Sequence, residues 1–278
     1  MRITLLGTGS PLPDPVRAGP ATLVQGGDDR ILFDCGRGVV TRLAGAATLP
    51  LMLSGVVLTH LHSDHVCDLN DVITTHWVMG APGPALRIVG PIGTRELVDR
   101  TLDMLATDIG YRVGHHADLT AGPTPAVLEV EAGDRFEMGG LTLAVGTTDH
   151  RPVVPTVGYR VTDGTEEVVV AGDGVPCATL DALVDGATAY VQTVIRDDLV
   201  RLVPSPRFHD ILDYHSTVAQ AADTARRAGV AVLVLTHYVP AIAPGTEDEW
   251  RRQAAAFDGL VVLGDYLTSV DLTTRVVS

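Results

Sequence analysis

The segment Thr59-His60-Leu61-His62-Ser63-Asp64-His65 packs four imidazole or carboxylate groups into a single turn of chain. In an extended segment residues i and i+2 point to the same side, so His60 and His62 can grip one ion together. If a helix starts near Asp64, that residue and His65 swing to an adjacent position and can take a second ion. Imidazole and carboxylate without thiolate suit zinc, iron or manganese at a catalytic site with open positions. A patch of surface histidines is the bland reading, and four groups at this spacing make it the poorer one.

A pair of ions needs more donors, and three later residues occupy the same kind of place, where an apolar run ends and a loop begins. They are His150 in Thr147-Thr148-Asp149-His150, Asp173 in Val170-Ala171-Gly172-Asp173, and His237 in Leu235-Thr236-His237-Tyr238. Strand ends on one edge of an α/β fold converge, and chemistry is placed there. Taken singly, each reads equally well as a cap or a hydrogen-bonded loop residue. With His60–His65 they form an ordered set.

The elements that must position them are short apolar runs bounded by Gly, Pro and Asp, which read as strands. Strands are expected at Arg2–Leu6, Ala21–Gln25, Arg30–Asp34, Gly55–Thr59, Leu86–Gly90, Leu141–Thr147, Val157–Val161, Glu167–Ala171, Ala189–Gln192, Val230–Thr236 and Leu260–Leu263. Helical stretches fall between them at Gly38–Ala46, Val66–Met79, Thr94–Ala106, Thr217–Ala228 and Glu247–Phe257, with Ser216 as the expected cap of the fourth. Strands and helices interleave in both halves without a long linker, which predicts one α/β domain over residues 1–278. Gly7-Thr8-Gly9-Ser10-Pro11 lacks the third glycine of a dinucleotide fingerprint and runs into prolines, so it reads as a tight structural loop.

Composition narrows the setting. The 278 residues carry 20 basic against 34 acidic groups, a net charge of −14, and every cation is arginine. That balance argues against non-specific polyanion binding, which rests on Lys and Arg neutralising phosphates. Cys35, Cys67 and Cys177 are odd in number and form no CxxC pair, so neither a disulfide framework nor a cysteine zinc knuckle is indicated. Cys35 and Cys67 read as small buried residues near the site. No signal-peptide or membrane-spanning run is seen, and a reducing cytoplasm is the expected compartment.

These residues together resemble the metallo-β-lactamase fold, and within it the ribonuclease Z and arylsulfatase-like branch. The likeness rests on Leu6-Gly7-Thr8-Gly9-Ser10, Phe33-Asp34-Cys35-Gly36, Thr59–His65, Val89-Gly90-Pro91, Val157-Gly158-Tyr159-Arg160, His215-Ser216-Thr217 and Leu235-Thr236-His237. It implies an αββα sandwich, two packed mixed sheets with helices on their outer faces. It implies that His60, His62 and His150 hold a first metal, that Asp64, His65 and His237 hold a second, and that Asp173 bridges them. Two divalent ions follow, zinc first, with manganese or iron also suited. His215, in the branch marker, would stabilise or protonate the departing oxygen, and Asp64 would orient or deprotonate a water shared by the metals. The function implied is a phosphodiesterase with a ribonuclease Z-like active site. An arylsulfatase, lactonase or other ester hydrolase on the same site is the alternative.

Members that trim transfer RNA carry an arm between the third histidine ligand and the bridging aspartate. Here only Arg151–Gly172 lie between His150 and Asp173, enough for a hairpin. With no lysine and a charge of −14, the expected partner is a small ester substrate, with RNA disfavoured, no membrane, and a homodimer by family resemblance. Of the remaining histidines, His76 reads equally as pocket lining or as packing on Trp77. His115 and His116 sit in a polar connector over residues 108–118 that reads as a surface loop or a lid. His209 lies in a second candidate rim within residues 196–210.

Overall fold

The computed structural model describes residues 1–278. The first half supplies β1 (Arg2–Gly7), β2 (Ala21–Gly26), β3 (Asp29–Phe33), β4 (Gly55–Val57), β5 (Arg87–Pro91) and β6 (Ala126–Val130). The second half supplies β7 (Arg135–Met138), β8 (Leu141–Thr147), β9 (Val157–Thr162), β10 (Glu167–Val170), β11 (Ala189–Ile195), β12 (Val232–Val239) and β13 (Leu260–Leu263). The chain ends in β14 (Ser269–Asp271) and β15 (Val276–Val277), which return to the first sheet. One sheet therefore has the order β15-β14-β1-β2-β3-β4-β5-β6 and the other β13-β12-β11-β10-β9-β8-β7.

Both sheets switch from antiparallel to parallel pairing partway across, at β3 and at β10. Parallel neighbours need a crossover, and the helices supply it. They are α1 (Val39–Gly45), α2 (Ser63–Val66), α3 (Leu69–Gly80), α4 (Thr94–His115), α5 (Ala178–Val184), α6 (Asp197–Val200), α7 (Pro206–His209), α8 (Val218–Ala228) and α9 (Glu247–Gln253). Because each helix follows a strand and returns beneath it, the strand-to-helix loops collect along one edge of the sandwich.

The inward faces of both sheets share one buried core, which takes Ile3, Phe33 and Val57 from the first and Leu143, Tyr159, Val191 and Val234 from the second. Each such aliphatic side chain, fully buried, contributes about 1.5–3 kcal/mol. Separate outer cores seat α1, α3 and α4 on the first sheet and α5, α8 and α9 on the second. On α8 the buried positions include Ala221, Ala222, Ala225 and Ala228, so the helix lies close to its sheet while Arg226 and Arg227 face solvent. These layers bear out the expected αββα architecture.

One contact ties the sheets together beside the future site. The buried Tyr159 hydroxyl of β9 donates to the Leu58 carbonyl (2.8 Å), just before Thr59. Its ring packs tilted on Phe33, with centroids 5.9 Å apart. The second sheet thereby fixes the exit of β4.

The structure departs from the sequence reading in four places. Helix α4 runs to His115, so residues 108–115 are helical and not a loop or lid: Leu105, Ile109 and Val113 continue the half-buried stripe past Ala106, and Arg112 pairs with Asp108 one turn back (2.7 Å). The cap of α8 is Thr217, which accepts from the Gln220 amide in a capping box, while Ser216 donates to the Gly174 carbonyl (2.7 Å). The strands β6, β7, β14 and β15 were not expected, and all lie at or next to a sheet edge. Cys67 is exposed on the outer side of the turn after α2, whereas Cys35 is buried.

Candidate metal centre

The loop after β4 and the short helix α2 bring up His60, His62, Asp64 and His65, as the spacing predicts. His150 follows β8 and Asp173 follows β10. His237 lies inside β12, not at its end, where the β11–β12 ladder slips by one residue; its φ of 52° turns the side chain out of the strand's alternation. Gly172 prepares the approach of Asp173. It has φ 70°, and a Cβ there would stand 2.6 Å from the Thr59 Cβ, so only glycine lets the end of β10 meet the histidine loop.

All of these side chains converge. Asp173 Oδ2 is the hub, with Nε2 of His215 at 3.3 Å, His65 at 3.4 Å, His237 at 3.6 Å, and His60 and His150 both at 3.8 Å. His62 Nδ1 lies 3.0 Å from His60 Nε2 and 3.3 Å from His150 Nε2. Asp64 Oδ2 lies 3.2 Å from His237 Nε2 and 3.7 Å from His65 Nε2. The donor atoms group as His60, His62, His150 and Asp173, as Asp64, His65 and His237, and as Asp173, His215 and His237. The family resemblance implies the first two sets as ligands and does not count His215 among them. Except for the half-exposed His62, all seven residues are buried.

A second layer of hydrogen bonds orients the imidazoles. His60 Nδ1–H donates to Thr59 Oγ1 (3.0 Å), His65 Nδ1–H to Asp34 Oδ2 (2.8 Å) and His150 Nδ1–H to the Tyr214 carbonyl (2.8 Å). Each ring therefore turns Nε2 inward, the arrangement in which a metal-binding histidine is held. Asp34 also accepts from the Thr59 amide (2.9 Å) and hydroxyl (3.0 Å), so one carboxylate sets two of the rings. Asp34 sits at φ 61° at the end of β3. The sequence reading noted it only within Phe33-Asp34-Cys35-Gly36, and its one signal there is an acid closing an apolar strand.

Electrostatics fit cations at this place. Burial would raise the Asp173 carboxyl, but the imidazoles of His237 and His65 hold it well below the usual carboxylate range. Burial pushes His150 down to about 4 and, aided by the charge of His65, pushes His60 well below the usual imidazole value, so both are neutral donors at pH 7. Burial would lower His65 as well, yet Asp173 and Asp34 hold it protonated, a proton that a bound cation would displace. His65 Nε2 and Asp173 Oδ1 are buried without a hydrogen-bond partner, which the protein alone leaves as a cost of about 1–3 kcal/mol each. Divalent ions on this imidazole and carboxylate set would satisfy both atoms.

Above the histidine–aspartate cluster opens a pocket of about 320 Å³, with His62, Asp64 and His215 at its base. Its far wall is the segment Arg201–Tyr214, which contains α7 and a 3₁₀ turn over Asp210–Asp213. Phe208, Ile211 and Leu212 of this cap pack on Ile195, Val200 and Val239. His215 closes it: Nδ1–H donates to the Ile211 carbonyl (3.1 Å), leaving Nε2 turned to Asp173. Of the two rim segments weighed from sequence, then, the later one borders the site. His76 lines a separate cleft of about 220 Å³ under α3, His115 and His116 are exposed at the end of α4, and His209 belongs to the cap without joining the histidine cluster. The cleft of about 560 Å³ beside Arg151 is larger but gathers no histidines.

Comparison with known proteins agrees with this geometry. The family model described as a beta-lactamase superfamily domain matches residues 29–238. A protein of Mycobacterium bovis named Ribonuclease Z is 53% identical over 278 residues, covering 99% of both chains. A protein of the same name from Mycobacterium avium is 54% identical over 275 residues, covering 98% of each. Among solved structures, the metallo-β-lactamase fold protein YhfI of Bacillus subtilis (TM-score 0.72, 21% identity, 96% of this chain and 97% of that one) shares the fold. So does the short form of human tRNase Z (TM-score 0.72, 22% identity, 98% and 99%). No helix is long and apolar enough to cross a membrane. The expectation of a small ester in preference to RNA conflicts with the name its relatives carry. Net charge averages the whole surface, and the acids that line this pocket, Asp64 and Asp173, belong to the histidine cluster. Between His150 and Asp173 the structure does hold only a loop and the β9–β10 hairpin, as expected.

Proposed function

This chain belongs to the ribonuclease Z family of the beta-lactamase superfamily and is a metal-dependent hydrolase, and from that membership we propose a phosphodiesterase whose substrate class is RNA. The observation that carries the reading is the inward set of Nε2 atoms gathered on Asp173, of which those of His60, His65, His150 and His215 are held from behind through Nδ1.

In this proposal His60, His62 and His150 hold one ion, Asp64, His65 and His237 hold the other, and Asp173 serves both. Zinc fits the imidazole-rich donors best, with manganese or iron as substitutes. Ions so held would acidify a water to a pKa near 7 and polarise the phosphoryl oxygens. Asp64 would orient that water and receive its proton. His215 faces the leaving side, and its Nδ1 bond to the Ile211 carbonyl aims Nε2 for delivering a proton to the departing oxygen. The shared core supports treating residues 1–278 as one hydrolase domain. A cytoplasmic setting, supported by three unpaired cysteines, and a homodimer, supported by the family resemblance, complete the reading.

The test is hydrolysis of bis(p-nitrophenyl) phosphate and of a precursor transfer RNA by the zinc- or manganese-loaded protein. Both are expected to be cleaved, and Asp64→Ala or His60→Ala to stop it. Cleavage of aryl sulfates or lactones with no phosphodiester turnover would overturn the proposal in favour of another ester hydrolase.

A further inference from the structure

The cap carries two side chains that the hydrolytic chemistry does not use. Arg207 is the only arginine lining the pocket, and it makes no ion pair or hydrogen bond within the protein. Elsewhere arginines are commonly engaged, as Arg196 is by Asp198 and Arg227 by Asp181 and Asp223. Phe208 beside it packs on Val200 and Val239 and also lines the pocket. An unengaged guanidinium and an aromatic ring lining one pocket offer a phosphate grip and a stacking surface for a base. The volume of about 320 Å³ sits at the low end of ligand pockets, which run roughly 300–1,000 Å³, so it suits one nucleotide and not a folded stem.

Resting on the phosphodiesterase reading above, we propose that the cap is a subsite for the single nucleotide on the leaving side of the scissile bond. In this proposal water adds to phosphorus, the P–O3′ bond breaks and O3′ leaves with a proton from His215, while the leaving nucleotide keeps its base against Phe208 and its outward 5′-phosphate at Arg207. The side follows from chain connectivity: the cap runs through Tyr214 directly into His215, the residue turned to the leaving oxygen, and the Tyr214 ring lies 4.8 Å from the His215 ring. The cap thus grips the substrate through side chains and orients His150 and His215 through the Tyr214 and Ile211 carbonyls.

The experiment compares three short RNAs on the metal-loaded enzyme: pUpU, UpU, and pUpU with an abasic ribose on the leaving side. Direct binding is measured in parallel by calorimetry with pUpU whose leaving oxygen is replaced by methylene. The wild type is expected to favour pUpU over each of the other two by about tenfold in kcat/KM, from one charge-assisted contact and one stacked base. Arg207→Ala should erase the preference for the 5′-phosphate and keep that for the base, with Arg207→Lys restoring part of it. Phe208→Leu, which keeps the packing on Val200, should erase the preference for the base alone. Calorimetry should show the same separation. Equal turnover of all three RNAs by the wild type, or preferences that survive both substitutions, would overturn the subsite while leaving the phosphodiesterase intact. Failure to cleave any of them or bis(p-nitrophenyl) phosphate would overturn the phosphodiesterase reading and the subsite with it.

Discussion

The metal-ligand cluster and the cap face each other across one pocket and are built on opposite principles. In the cluster the rings are fixed from behind: Thr59 and Asp34 occupy the outer nitrogens of His60 and His65, and Tyr159 pins the strand exit from the opposite sheet. The cap is the reverse. Its one α-helix, α7, is a single turn, Leu202 is 77% exposed, and Arg207 is unengaged. Its backbone carbonyls bond to His150 and His215. The difference assigns bond cleavage to a rigid, preorganised set of donors and choice of substrate to an adaptable wall.

The comparison breaks most visibly at its hub. Asp173→Ala should abolish phosphodiester hydrolysis and lower metal content measured by elemental analysis, because it removes the carboxylate that five histidines face. Retention of full metal and activity would show the cluster to be incidental. His215→Ala marks the boundary between the two regions. Loss of a proton donor there should reduce kcat by about 10²–10⁴-fold. Metal content should stay at the wild-type level, and a fall in bound metal would move His215 into the ligand set. Asp34→Ala touches neither metal nor substrate, yet should cost about 10–100-fold in metal affinity, because it frees the outer nitrogen of His65 and the Thr59 hydroxyl. A competitive chelator titration reads that loss directly. The smallest effect belongs to Thr217→Ala, which removes the cap of α8 just after His215. It should lower stability by about 1 kcal/mol in a denaturant melt and leave metal affinity unchanged. A large drop in metal affinity would show that the cluster depends on the start of α8.

The same division governs what could be read in the sequence. His60 to His65 were legible because their geometry is local: a two-residue period in an extended segment needs no tertiary knowledge. His150 and Asp173 were legible as polar residues closing apolar strands, and the family resemblance linked them with His237. That His237 lies within β12 was not, since a ladder slip is a property of the pair of strands. Asp34 was missed as an orienting group because its partners Thr59 and His65 lie 25 and 31 residues away. Sheet interiors announced themselves as buried runs, whereas β6 and β7 at the edges are half exposed and lack them. Residues 108–118 read as a polar connector, yet α4 continues to His115 because its half-buried stripe and the Arg112–Asp108 pair persist. The cap has neither period, so its placement over the site came only with the structure.

The central claim is that the seven clustered residues hold two ions that together perform phosphodiester hydrolysis. Titrating metal-depleted protein with zinc while following bis(p-nitrophenyl) phosphate turnover tests it directly. The account predicts no activity without metal and a rise that levels off at about two equivalents per chain, as a two-metal site requires. Zinc bound at that stoichiometry with no turnover, or turnover unchanged in its absence, would contradict it.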